Sequence, residues 1–145
     1  MTADRSTQAY VQRNIRILLA ACMLAMLPAC AETKWRSDAH RMVRTELYFG
    51  LLRPDGSPIA ADQWQRFVDA HVTPRFPDGL TILDAAGQWR NAAGRIIQEP
   101  SKVIIILRDD SAEHRRAIQN IRDTYRRTFD QESVLLVQTR QWVSF

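Results

Sequence analysis

Cysteine is nearly absent from this 145-residue chain, and the two present, Cys22 and Cys30, both stand before residue 31. Nothing downstream can form a disulfide or a thiolate metal site, so a domain there has to be held by packing alone. A domain of roughly 100 residues can bury a sufficient core without staples. Histidine is scarce as well: His40, His71 and His114 lack the spacing of a ligand set, and neither a metal nor a cofactor is expected. Glycine-rich phosphate loops, serine-hydrolase elbows and zinc motifs are missing, which leaves no catalytic residue to assign. Charge of one sign is also in short supply. The 20 basic and 16 acidic residues fall to 17 and 15 once the first 29 residues are set aside. Nucleic-acid recognition leans on a concentrated basic field, so no nucleic-acid partner is expected.

Long apolar runs are missing too. The longest, Ile17 to Leu27, has 11 residues and follows Arg13 and Arg16. It is well short of the roughly 20 needed for a permanent membrane span, and it has the form of a signal-peptide hydrophobic region. Leu27-Pro28-Ala29-Cys30 comes directly after it and looks like a bacterial lipobox, with leucine three before the cysteine and a small residue just before it. Residues 1–29 are therefore expected to be a lipoprotein signal peptide. Residues 30–42 would form the lipidated terminus and tether, with Cys30 acylated, and residues 43–145 the folded domain. An ordinary signal peptide that happens to end near a cysteine is the alternative. Because Ala31 rather than Asp follows Cys30, the resemblance to Gram-negative lipoproteins favours the periplasmic side of the outer membrane over the inner membrane. Several acyl chains at one terminus anchor strongly where a single chain is marginal.

In the mature part, Val43, Leu47, Phe49 and Leu51 alternate with Arg44, Glu46, Tyr48 and Gly50, which predicts a half-buried strand. Trp64, Phe67, Val68 and Val72 fall at helical spacing and predict a helix over Ala61–Val72, poorly capped unless Gln63 reaches back to the chain before it. The stretch from Thr73 to Gly79 holds Pro74, Pro77 and Asp78-Gly79, a rigid connection into a second strand at about Gly79–Ala86. A hairpin follows. The run Lys102–Leu107 is rich in β-branched residues and predicts a central strand covered on both faces. Asp110-Ser111-Ala112-Glu113 has a capping-box pattern ahead of a helix to Phe129, and Ser133–Gln138 gives a fourth strand. The order strand, helix, strand, strand, helix, strand makes an α+β ferredoxin-like split βαββαβ sandwich the economical topology. It would have a four-stranded antiparallel sheet and two helices on one face.

Arg44 to Leu51, Val72 to Thr81, Gly87-Gln88-Trp89-Arg90, Ser101-Lys102 and Gln131 to Leu135 resemble the bacterial secreted family catalogued as domain of unknown function 3574. The resemblance spans Arg44 to Phe145. It implies an envelope protein, often lipidated, and carries no assigned activity or catalytic residues. The chain departs from the pattern at Ala60-Ala61, where a serine or acidic cap is more usual.

Two groups are candidates for ligand binding. Arg75, between Pro74 and Pro77 and near Asp78, presents a fixed guanidinium fork for a small anion. The structural alternative has Arg75 pairing with Asp78 or a helix end. Glu46 and Tyr48 face away from the core side of the first strand, and Lys102 on the neighbouring strand is expected beside them. That group suits proton transfer, a ligand platform, or a salt bridge within a dimer face. The expected function is a noncatalytic binding or accessory domain of an envelope lipoprotein, attached to the membrane by lipid and receiving a protein partner or a small anionic ligand. The alternative is a small periplasmic enzyme whose site lies on the open sheet face of a homodimer.

Overall fold

Strict alternation makes the first strand, β1 (His40–Gly50): Val43, Thr45, Leu47 and Phe49 are buried while the residues between them are partly exposed. The computed structural model describes residues 38–145, and the expected signal peptide, Cys30 and most of the expected tether lie outside the described residues. His40–Phe145 is one compact unit.

Helix α1 (Ala61–Phe67) starts without a side-chain cap at Ala60, and Gln63 Oε1 accepts the Ala60 amide at 3.1 Å, the reach-back the sequence required. The expected helix to Val72 changes type part-way and is followed by a further turn. The α-helix ends at Phe67, widens to a π turn over Val68–Val72, then tightens to a 3-10 turn over Thr73–Arg75. Pro74 has no amide to continue the helical ladder. The Phe76 amide instead reaches Val72 O and Thr73 O, each at 3.2 Å. Gly79, at φ +141°, occupies backbone space that only glycine enters easily, and it turns the chain into β2 (Thr81–Arg90).

A tight loop closed by mutual Asn91 and Arg95 hydrogen bonds leads to β3 (Ile96–Arg108), which runs into the apolar stretch Lys102–Leu107. Helix α2 (Ala112–Phe129) is capped one residue later than the sequence pattern suggested: the Ser111 hydroxyl accepts the His114 amide at 3.2 Å, so Glu113 takes no part in a box. Asp130, in the left-handed region at φ 53°, ends this helix, and β4 (Leu135–Val143) closes the fold.

All pairings are antiparallel and the strand order is β2-β3-β1-β4, the ferredoxin-like arrangement the element order implied. Leu47, Phe49, Ile104 and Ile106 face both helices and meet Trp64, Phe67, Ile118, Ile121, Tyr125 and Phe129 in one core. Phe49, Trp64, Phe67 and Tyr125 make edge-on ring contacts with centroids 4.7 to 6.1 Å apart. One expectation is overturned here. β3 is central, but only one of its faces is covered among the described residues, because both helices pack on the side of Ile104 and Ile106. Val103, on the other face, is itself buried. Among the described residues no helix is long and apolar enough to cross a membrane.

Candidate functional site

Strand parity sorts the predicted residues onto two faces. Register pairs Tyr48 with Val103 and Glu46 with Ile105, placing Glu46 and Tyr48 on the open face as expected. There the Glu46 carboxylate is gripped from both sides: Arg44 Nε donates to one oxygen at 2.7 Å and the Tyr48 hydroxyl to the other at 2.6 Å. The Tyr48 bond, then Arg44, hold the Glu46 carboxyl below its ordinary range, and the same bond raises the Tyr48 phenol. At neutral pH the trio is an ionised carboxylate between a cation and a neutral hydroxyl. Leu135 and Val137 stand opposite it, 58% and 39% exposed, and Leu83, 47% exposed, lies on the same face beyond Val103.

Lys102 does not join this group. It lies opposite Phe49, on the helix-facing side of the sheet, and its ammonium pairs with Asp84 on β2. A second carboxylate occupies the open face in its place. Glu99 lies over Gly50, accepting the Leu52 amide at 3.2 Å and Trp89 Nε1 at 2.9 Å.

Arg75 and Asp78 sit at the end of the sheet where β2 begins. Arg75 Nη1 donates to His71 O at 2.8 Å, tying down the end of the helical segment, the structural alternative for this side chain. Both residues nevertheless line a hollow of about 850 Å³. The topology accounts for it. Thr81, the first residue of β2, pairs with Ile105, so β3 runs three residues beyond its last partner, and the proline loop arches past that unpaired end. Met42, Phe76, Leu80 and Leu107 supply apolar wall, while Arg44, Arg75 and Arg108 bring guanidinium groups. At the rim, His114 packs against the Phe76 ring with centroids 5.4 Å apart and hydrogen-bonds Asp109 at 2.6 Å. The Asp109 carboxyl is held down at about 2 by Ser111, through its side chain and amide, and by His114.

Sequence reasoning missed Arg108, which reads as the polar start of a turn. It is 3% exposed. Nε donates to Thr45 Oγ1 at 3.0 Å and Nη1 to Asp109 O at 2.7 Å. A signal was available in Thr45, the one polar residue among the inward positions Val43, Thr45, Leu47 and Phe49, because a buried hydroxyl in an apolar row requires a polar partner. Among the described residues no three His, Cys, Asp or Glu side chains gather as a metal site.

These features define a class: an α+β sandwich of ferredoxin-like topology with an open sheet face and an end-of-sheet hollow. Two solved structures share the fold. A phage SAM lyase in complex with S-methyl-5'-thioadenosine has 16% identity and a TM-score of 0.57, covering 72% of this chain and 90% of that one. A phage SAM lyase in the apo state has 20% identity and a TM-score of 0.51 over the same shares, 72% and 90%. No curated protein matches the chain. Residues 44–145 match the family described as protein of unknown function (DUF3574), and the chain belongs to that family.

Proposed function

We propose that the domain is the binding module of a bacterial envelope lipoprotein, anchored through Cys30 on the periplasmic side, and that the end-of-sheet hollow receives a small amphipathic ligand. The observation that carries this reading is the hollow itself. Its roughly 850 Å³ lies within the range of small-molecule sites, and its wall combines apolar side chains with a few convergent charged ones. The lipobox at Leu27–Cys30 supports the anchor, and the preference for the outer membrane rests on the residues after Cys30. A thermal-shift screen of the chain from residue 30, with Cys30→Ser, against periplasmic metabolites and envelope fragments tests the reading. A ligand present at 100 times its Kd stabilises by about 2.7 kcal/mol through mass action. Met42→Trp, which fills the hollow, abolishes a true hit. Hits that survive this substitution, or a panel without hits, refute the small-ligand reading.

A second reading, a small enzyme on the open sheet face, is favoured by one observation: Glu46 and Tyr48 set a carboxylate and a phenol 2.6 Å apart there. Both fold neighbours are SAM lyases, and one holds S-methyl-5'-thioadenosine. A second copy laid on Leu83, Leu135 and Val137 would cover the pair and give β3 a cover on its remaining face. Release of S-methyl-5'-thioadenosine from S-adenosylmethionine, lost in Glu46→Gln and Tyr48→Phe, is the expected outcome on this reading. No release, from protein that sediments as a monomer at all concentrations, sinks it.

A further inference from the structure

The chemistry around Arg108 narrows the ligand class, an inference that rests on the hollow being the binding site. A buried guanidinium is normally paired with a carboxylate, since an uncompensated buried charge is costly. Arg108 departs from this. Its two bonded nitrogens, Nε and Nη1, donate to neutral acceptors, the Thr45 hydroxyl and the Asp109 carbonyl. Among the described residues no carboxylate forms an ion pair with it, and Asp110 and Asp109 act on it only from a distance. Its third nitrogen, Nη2, has no hydrogen bond to a described residue. No buried side-chain nitrogen or oxygen among those residues is left without a partner, so Nη2 keeps some exposed surface although Arg108 as a whole is 3% exposed, and Arg108 is one of the residues that line the hollow.

The other charged groups of the wall set the size of the charge the site accepts. Arg44 is already balanced by Glu46, and Arg75 has one nitrogen committed to His71 O. Asp78 and Asp109 carry negative charge at the same wall and oppose a doubly charged group. One accessible donor on a buried cation, two opposing carboxylates and an apolar wall of Met42, Phe76, Leu80 and Leu107 fit a single kind of molecule. We propose that the hollow binds a monocarboxylate with an apolar tail, its carboxylate on Arg108 Nη2 and its tail along those four side chains.

Isothermal titration of the chain from residue 30, carrying Cys30→Ser, with decanoate, decanol and decylamine, each below its micelle concentration, tests this. Decanoate binds at least about tenfold tighter than decanol, as expected for a hydrogen bond to a charged donor, and decylamine binds weakest. Arg108→Lys retains part of the preference and Arg108→Gln abolishes it. Should Arg108→Gln fail to fold, the comparison of three head groups on the unsubstituted hollow still decides. Equal affinity for decanoate and decanol overturns the carboxylate assignment while leaving the hollow as a binding site. No binding of any of the three removes the hollow reading as well.

Discussion

Replacing Tyr125 by phenylalanine separates the two ways in which α2 is held to the sheet. Tyr125 is fully buried, its ring 4.7 Å from Phe49, 4.9 Å from Phe67 and 4.7 Å from Phe129, and its hydroxyl donates to Gly50 O at 2.7 Å. Phenylalanine keeps every ring contact and removes one hydrogen bond to the last residue of β1, a loss of about 1–2 kcal/mol. Tyr125→Ala removes the ring from the centre of the aromatic cluster and costs about 3–5 kcal/mol. Urea unfolding followed by circular dichroism reads both as midpoint changes at constant slope. For a domain of this size, 1 kcal/mol corresponds to roughly 4 °C or more in Tm. Alkaline pH adds an independent check. Burial raises the Tyr125 phenol above its ordinary value. The unfolded chain gives up that proton from about pH 10 while the folded chain keeps it, so stability is complete below pH 10 and falls as pH rises further. Tyr125→Phe should flatten much of that decline, with Tyr48, also raised, contributing what remains. If Tyr125→Phe proves as damaging as Tyr125→Ala, the cluster is not held by its ring contacts and the argument fails.

Three further outcomes are expected. A methyl group at Gly50 would stand 2.6 to 2.7 Å from the Glu99 carboxylate, so Gly50→Ala displaces Glu99 from Leu52 N and Trp89 Nε1. It should destabilise by about 1–2 kcal/mol and shift the Trp89 indole proton resonance; an unmoved resonance contradicts the contact. Because Asp109 is held at about 2, its share of stability is present above the ordinary Asp value, near pH 4, and disappears as pH falls through 2. Asp109→Asn should make acid unfolding less steep between those limits, and an identical acid profile refutes the assignment. Cys30→Ser should leave the precursor uncleaved and unlabelled by radioactive palmitate, whereas cleavage that persists between Ala29 and Cys30 rules out the lipobox.

The sequence revealed the layers better than the register, and the reason is physical. Alternation in β1, the helical stripe through Tyr125, and the proline loop each depend on a few neighbouring residues, so element order and topology could be read without the structure. The face on which Lys102 lies depends on how many residues the hairpin from β2 to β3 consumes, and a slip of one residue sends every side chain to the other face. Sequence therefore grouped Lys102 with Glu46 and Tyr48, while the observed pairing of Phe49 with Lys102 turns the lysine toward Asp84. The same register leaves the last three residues of β3 beyond the start of β2.

That mismatch in strand length links the fold to the candidate site. The turn from Thr73 to Gly79, with Pro74 and Pro77 unable to donate to a ladder, delays β2 until Thr81, and β3 meanwhile continues to Arg108. Thr45 then lies inside the sheet's helix-facing side with a hydroxyl to satisfy, and Arg108 is the side chain that reaches it. Had β2 begun three residues earlier, it would have covered the end of β3 with backbone, leaving no hollow between the loop and Leu107. The late start leaves the guanidinium supported from behind by Thr45 and the Asp109 carbonyl, with Arg108 at the wall of the hollow. Closing that gap with the bulk of Met42→Trp should therefore abolish decanoate binding even with Arg108, Arg75 and Arg44 all unchanged.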